Sequence, residues 1–136
     1  MSKLRTFFSL SAFSLILLLA FASVATAQES RLAGVWRGAF NINIGGDREF
    51  ILTISADGEQ LSAVLDIPAQ GIMGLTAESV AIDGSTFRFL FPRIEGEYYG
   101  VIHSDRAPDG NPSRMDGDWS QAGEYIPISL HRSLAE

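Results

Sequence analysis

Residues 114–132 have the sequence RMDGDWSQAGEYIPISLHR, in which two short runs flank the dipeptide Ala122–Gly123. The later run places apolar residues at every second position: Ile126, Ile128 and Leu130. Because successive side chains of a β-strand point to opposite faces, these three form one apolar row. Trp119 anchors the earlier run, so the stretch predicts a strand, a tight turn and a closing strand.

The same period-two alternation recurs along the chain, with turn sequences such as IDGS (82–85) and APDGNP (107–112) between the runs. The predicted strands span about 34–42, 48–55, 60–67, 76–82, 86–91, 97–103, 114–119 and 125–132. Connections this short suit antiparallel neighbours, since parallel strands need long crossovers. The chain is therefore predicted to be all-β, an antiparallel meander of about eight strands forming a small barrel or a β-sandwich. The predicted inward rows carry Phe and Trp, which indicates a largely filled interior.

The N-terminal segment differs from the rest of the chain. Two basic residues precede an almost wholly apolar run from 7 to 24, and Ala25 and Ala27 give the small-x-small pattern of a cleavage site. We expect residues 1–27 to be a secretory signal-peptide helix, cleaved after Ala27, and residues 28–136 to be a single all-β domain in a secreted or periplasmic protein. The alternative is an uncleaved anchor, because the apolar run is near the ~18-residue length of a membrane-spanning helix. The chain has no Cys, so no disulfide framework is expected.

The charge of the predicted domain limits its partners. Without residues 1–27, eight arginines stand against sixteen acidic residues, a net charge of −8. Such a surface repels phosphate backbones and anionic membrane surfaces. Neither nucleic acid nor, after signal cleavage, a membrane is therefore an expected partner.

Two sets of residues resemble known families. The Gly34–Trp36 tripeptide resembles the Gly-x-Trp start of lipocalin-type barrels, which implies a lipocalin-like barrel in which Arg132 lies across Trp36 and stacks on its indole. A longer series, GVWRGAF, DIPAQGIMGLTAESVAIDGSTFRF, EYYGVI and GDWSQAGEYIPISLHR, resembles the β-rich accessory domain N-terminal to the catalytic domain of secreted bacterial α/β-hydrolases and related serine hydrolases. PAQG stands at 68–71, where that pattern has Pro-Asp-Gln-Gly. The resemblance implies an accessory role beside a hydrolase, not hydrolysis, because 28–136 contains no α/β-hydrolase pattern.

Ser120 is the first residue to test as a catalytic nucleophile. A nucleophile elbow needs Gly two residues away on each side, whereas Gly117 and Gly123 are each three residues away. A triad also needs His, and both histidines, His103 and His131, lie at predicted strand ends. The pattern favours an ordinary hydroxyl beside a turn, and we expect no catalytic residue and no enzyme activity.

Metal and carboxylate sites are not indicated either. Asp109, Asn111 and Ser113 alternate as at the start of a calcium loop, but no glycine stands at the sixth position, and Asp-Gly and Asn-Pro are ordinary turn formers. Glu95 and Glu97 flank a glycine in RIEGE, which predicts a solvated turn and not an acid–base pair. No metal and no cofactor is therefore expected.

Aromatic residues are the best binding candidates. Trp and Tyr can line a ligand pocket while their polar atoms fix orientation, and four of them come from strands that can meet: Trp36, Tyr98, Tyr99 and Trp119. The alternative is that they are core residues. Tyr98 and Tyr99 are adjacent, so on a strand they face opposite sides and one of them is predicted to lie outside the core.

Together these patterns predict a secreted or periplasmic, non-catalytic β-domain that binds a small apolar molecule or a protein partner; the accessory role implied by the resemblance makes a secreted hydrolase that partner. Two other classes remain open. One is a small secreted hydrolase-type enzyme with an unrecognised site, and the other is a purely structural envelope protein.

Overall fold

The computed structural model describes residues 31–41, 46–58 and 60–134, which form one antiparallel sheet of nine strands. The strands are β1 Gly34–Asn41, β2 Asp47–Asp57, β3 Gln60–Ile67, β4 Ile72–Thr76, β5 Ser79–Asp83, β6 Thr86–Phe91, β7 Gly96–Ile102, β8 Arg114–Gln121 and β9 Glu124–Ser133. Single turns of 3-10 helix, Pro68–Gln70 and Pro92–Ile94, precede β4 and β7. Proline fixes φ near −65°, so both turns begin at a residue already suited to them.

The strand order is β4-β3-β2-β1-β9-β8-β7-β6-β5, which is two meanders joined where the first strand pairs with the last. The pairing of β1 with β9 is short, since it joins only 35–37 to 131–133, and Trp36 lies directly opposite Arg132 in it. The sheet curls into a half-barrel, so the all-β, barrel-like fold expected from the alternation is confirmed.

The region between β3 and β6 departs from the expectation. The prediction of a single strand over 76–82 was wrong, because β4 ends at Thr76 and β5 begins at Ser79, and β4 begins at Ile72, outside every predicted strand. The chain changes its hydrogen-bond partner between them. The amide of Ala77 donates to the carbonyl of Ala63 at 2.8 Å, and the next amide, that of Glu78, donates to Leu90 at 2.9 Å. The β4–β5 junction therefore connects the two ends of the sheet.

The core consists of the inward rows expected from the alternation. Its buried members are Leu32, Trp36, Phe40, Phe50, Leu52, Ile54, Ala63, Leu65, Ile67, Phe87, Phe89, Phe91, Tyr98, Met115, Trp119, Ile128 and Leu130. Leu61 and Ile126, which share these rows, are only partly buried. At roughly 25 cal/mol per Å² of apolar area removed from water, these rows are the main stabilising contribution to the sheet.

The hairpin of β8 and β9 has the predicted two-residue turn. Gln121 pairs with Glu124, and φ is 49° at Ala122 and 84° at Gly123. Positive φ at both central residues is the type I′ geometry that matches the twist of hairpin strands. The strand, turn and closing strand expected over 114–132 are confirmed.

The predicted signal segment, residues 1–27, lies outside the described residues. Among the residues that the structure describes, no helix has both the length and the apolar character needed to cross a bilayer.

Candidate functional site

Three of the four predicted binding residues lie in the core. Trp36 and Tyr98 are fully buried, and Trp119 is almost so. Tyr98 and Trp119 face each other across β7 and β8, and both rings contact Phe50, at centroid distances of 5.4 and 5.2 Å. The core alternative therefore describes their surroundings. A binding role for them remains a prediction, and it requires a ligand to displace side chains that are packed in the core.

The polar atoms of these three side chains have partners inside the protein. Nε1 of Trp36 donates to the carbonyl of Leu32 at 2.9 Å, and the Tyr98 hydroxyl donates to the carbonyl of Ile128 at 2.8 Å. Nε1 of Trp119 donates to Oε1 of Gln121 at 3.3 Å. Burial first, and then Asp116 and Asp118, raise the pKa of Tyr98 far above its usual value, so its hydroxyl stays protonated.

Tyr99 points the opposite way, as its adjacency to Tyr98 predicts. It is half-buried on the outer face, where it lies between Arg88 of β6 and Asp118 of β8 in the register of the sheet. The row continues to Ala81 of β5, which lies opposite Arg88. An aromatic ring with a cation on one side and a carboxylate on the other therefore stands at the surface.

An open groove of about 390 Å³ lies on this outer face of β5, β6 and β7, and we name it the outer groove. Ala81, Tyr99 and Val101 supply apolar surface, and Asp83, Arg88 and Glu97 supply charge. Nε of Arg88 lies 2.5 Å from Oε1 of Glu97, so the one guanidinium in the lining is already paired. Beyond the groove, the side chain of Tyr125 is 67% exposed on β9.

The electrostatics of Tyr99 reflect this position. Partial burial, followed by the neighbouring Asp118, Tyr125 and Glu97, raises the pKa of Tyr99, and Arg88 acts in the opposite direction. Tyr99 is therefore a neutral aromatic ring in a region where negative charge outweighs positive charge.

A second group, which we name the polar cluster, consists of His103, Asp105, Arg114 and Asp116. Nε2 of His103 lies 2.6 Å from Oδ2 of Asp116, and its Nδ1 lies 2.9 Å from a terminal nitrogen of Arg114. The same nitrogen of Arg114 lies 3.2 Å from Nε2, so the guanidinium contacts both nitrogens of the ring. Arg114 also pairs with Asp105 at 3.2 Å, so the cluster ties the segment after β7 to β8.

The carboxylate of Asp116 is the centre of this cluster. The Ser129 hydroxyl, and then Arg114 and His103, lower the pKa of Asp116 despite the opposing effect of desolvation. Oδ1 of Asp116 is buried and has no partner at hydrogen-bond geometry among the described residues. The arrangement differs from a catalytic triad. Here the carboxylate of Asp116 lies between Ser129 and His103, whereas in a triad the imidazole lies between the hydroxyl and the carboxylate.

The structure separates Ser120 from His103. Ser120 is half-buried near the end of β8 and lies opposite Tyr125, whereas His103 contacts Arg114 at the start of that strand. Six residues of strand span about 20 Å. The two groups of a hydroxyl–imidazole pair are therefore at different ends of the sheet.

The segment expected to be a turn at 109–113 is one. Oδ1 of Asp109 accepts from the amide of Asn111 at 3.0 Å, and Oδ2 pairs with Arg132. Hydrogen bonds to Asn111, followed by the bond and charge of Arg132, lower the pKa of Asp109 against a smaller desolvation effect. Among the described residues, no three His, Asp or Glu side chains lie together in a way that could hold a metal ion.

Arg132 lies opposite Trp36 in the register of β1 and β9, on the same face of the sheet. The stacking of its guanidinium on the indole stays a prediction. Its guanidinium donates to the carbonyl of Ala33 at 3.4 Å and pairs with Asp109. Its side chain is only 8% exposed. Arg132 therefore joins β9 both to the segment before β1 and to the loop after β7.

Sequence reasoning missed three members of the outer surface: Glu97 as the partner of Arg88, Asp118 beside Tyr99, and the exposed Tyr125. A signal for Tyr125 was present, because it is out of phase with the inward row of Ile126 and Ile128. An aromatic residue on the polar face of a predicted strand is a reason to expect a contact surface.

The chain was also compared with known proteins. No protein-family model matches it, and no curated protein matches it.

Proposed function

We propose that this protein is an exported, non-catalytic β-domain that binds a protein partner through the outer groove and the exposed tyrosine beside it. The observation that carries the proposal is the distribution of aromatic side chains. Three of the four singled out from the sequence are buried in the core, whereas Tyr99 and Tyr125 lie on the outer face. A surface on this face is reached without disturbing the core.

The chemistry of this face suits a protein interface. Tyrosine and arginine are enriched at the centres of interfaces, where large rigid rings give contact area at low entropic cost. Val101, a lining residue, is 45% exposed, and Tyr125 extends the apolar contact beyond the groove itself. An open groove of this kind accepts side chains of a partner that also covers the surrounding strands.

The class of partner and the compartment come from the sequence. The resemblance of the mature chain to hydrolase accessory domains favours a secreted hydrolase as the partner. The N-terminal pattern favours export followed by cleavage after Ala27. The hydrolase partner and the export of the protein are both parts of the proposal.

A small apolar molecule is the second candidate. The groove volume of about 390 Å³ falls in the ~300–1,000 Å³ range of small-molecule sites. Native mass spectrometry of protein purified from its host distinguishes the two, because a retained small molecule adds a few hundred daltons and a protein partner adds far more.

Site-specific photo-crosslinking in the host tests the proposal. A photoreactive phenylalanine analogue replaces Tyr125, and in a matched variant it replaces Met73, which is equally exposed at 66% but lies on β4. We expect a discrete protein adduct from position 125 and none from position 73, on a chain that begins at Gln28. Equal adducts at both positions, or none at 125, would overturn the proposal.

A further inference from the structure

We propose that the partner presents a lysine or arginine side chain to the outer groove, where the cation lies on the ring of Tyr99 and beside the carboxylate of Asp118. This inference rests on the proposed function and specifies its chemistry. The occupant is a basic segment of a protein and not a free small cation.

The charge balance of the groove is the first argument. Asp83, Glu97 and Asp118 bring three carboxylates to the lining and its border, against the single guanidinium of Arg88. Glu97 already pairs with Arg88 at 2.5 Å. Among the described residues no cation lies within 4 Å of the carboxylate of Asp83 or Asp118. The groove therefore carries uncompensated negative charge.

The position of Tyr99 is the second argument. Its ring lies in one row of the sheet between Arg88 and Asp118, and one side of it lines the groove. A cation within about 6 Å of a tyrosine ring is attracted by the negative face of the π-system. A carboxylate next to that ring adds a charge–charge attraction in the same place, so one bound ammonium or guanidinium satisfies both groups.

The surroundings favour a protein over a free cation. The groove is open, and the exposed Tyr125 of β9 lies beyond it. A free cation contacts only the groove, whereas a basic segment also covers this side chain. The net charge of −8 on residues 28–136 further attracts a basic partner and speeds its encounter.

Variants of the crosslinking protein test the inference in the host. With the photoreactive residue at 125, Asp118→Asn and Tyr99→Leu are each expected to lower the adduct yield about two- to fivefold, the range for one exposed charge or cation–π pair. Tyr99→Phe keeps the ring and is expected to keep the yield. Asp57→Asn removes the same charge from an exposed site on β2 and serves as the control.

A defined probe tests the same chemistry in vitro. Acetyl-Gly-Arg-Gly-Arg-Gly-amide is expected to shift the backbone amide resonances of Tyr99 and Gly100 in the purified domain, and the citrulline analogue, which lacks the charge, is not. Asp118→Asn is expected to weaken binding of the arginine peptide about two- to fivefold, and added salt to weaken it further.

The outcomes separate the two proposals. Absence of an adduct at 125 overturns the proposed function itself. An adduct at 125 whose yield is unchanged by Asp118→Asn and Tyr99→Leu overturns only the basic-segment inference. Equal shifts from the arginine and citrulline peptides overturn it as well, because charge then plays no part.

Discussion

At the scale of single residues, the polar cluster shows how one carboxylate organises a loop. Asp116 accepts from His103 and attracts Arg114, and Arg114 in turn holds Asp105. The ionised form of Asp116 therefore has more favourable contacts in the folded protein than in the unfolded chain. A carboxyl group of this kind contributes stability that depends on pH.

The lowered pKa of Asp116 gives a signed prediction. Because the folded-state pKa lies below the unfolded value of about 3.9, the contribution is complete above about pH 4 and is lost as the pH falls through the folded-state pKa. Asp116→Asn is therefore expected to lower the Tm at about pH 6 by roughly a few degrees. The fall in Tm between about pH 6 and pH 2.5 is expected to become smaller by a similar amount. Differential scanning calorimetry measures both. Asp57→Asn is the control, and an acid-induced fall in Tm that is the same in all three proteins contradicts the prediction.

At the scale of elements, the turns and strands differ in how far the sequence predicts them. The alternation of apolar and polar residues correctly predicts that Phe50 and Phe87 point inward, because it depends only on the local pleat of each strand. The split between β4 and β5 was missed because Ala77 and Glu78 bond to opposite ends of the sheet, and a change of partner leaves no mark on alternation. Gly71 and Gly74, both with positive φ, made the start of β4 resemble a loop.

The candidate site, too, is predicted by the sequence only in part. Alternation along β7 predicted that Tyr98 and Tyr99 face opposite sides of the sheet. The meeting of Arg88, Tyr99 and Asp118 depends instead on the registers of β6 with β7 and of β7 with β8. Those registers follow from the loops and the packing of the whole sheet, which no single strand encodes.

The β8–β9 hairpin supports a pair of opposite predictions. Alanine at 122 adopts φ of 49°, a region that costs an L-residue about 1–2 kcal/mol, so Ala122→Gly is expected to raise the free energy of unfolding by about 0.5–1 kcal/mol. Gly123→Ala is expected to lower it by about 1 kcal/mol. An added Cβ at 123 meets no atom within 4 Å, so this cost comes from the backbone alone. Urea unfolding measures both, and changes of the same sign contradict the interpretation.

At the scale of the whole molecule, Phe50 joins the two halves of the sheet. It belongs to β2, and its ring contacts Tyr98 of β7 and Trp119 of β8. A core that is shared in this way predicts that both halves unfold together.

Replacing Phe50 tests this coupling. Phe50→Ala is expected to lower the free energy of unfolding by about 3–5 kcal/mol, a large part of the ~5–15 kcal/mol typical of a domain. Phe50→Leu, which leaves a smaller cavity, is the variant to use if the first fails to fold. Guanidinium unfolding followed by tryptophan fluorescence is expected to show one transition in every variant. Leu134→Ala, at an exposed position, is the control. Two separate transitions, or an equal effect at position 134, would contradict the shared core.

The pairing of β1 with β9 has a consequence for the order of events in the cell. Arg132 bonds to Ala33 across 99 positions of sequence, so the first strand has no neighbour on that side until β9 is available. Contacts of such long range form late and slow folding. The sheet is therefore complete only after β9 has been made and has paired with β1.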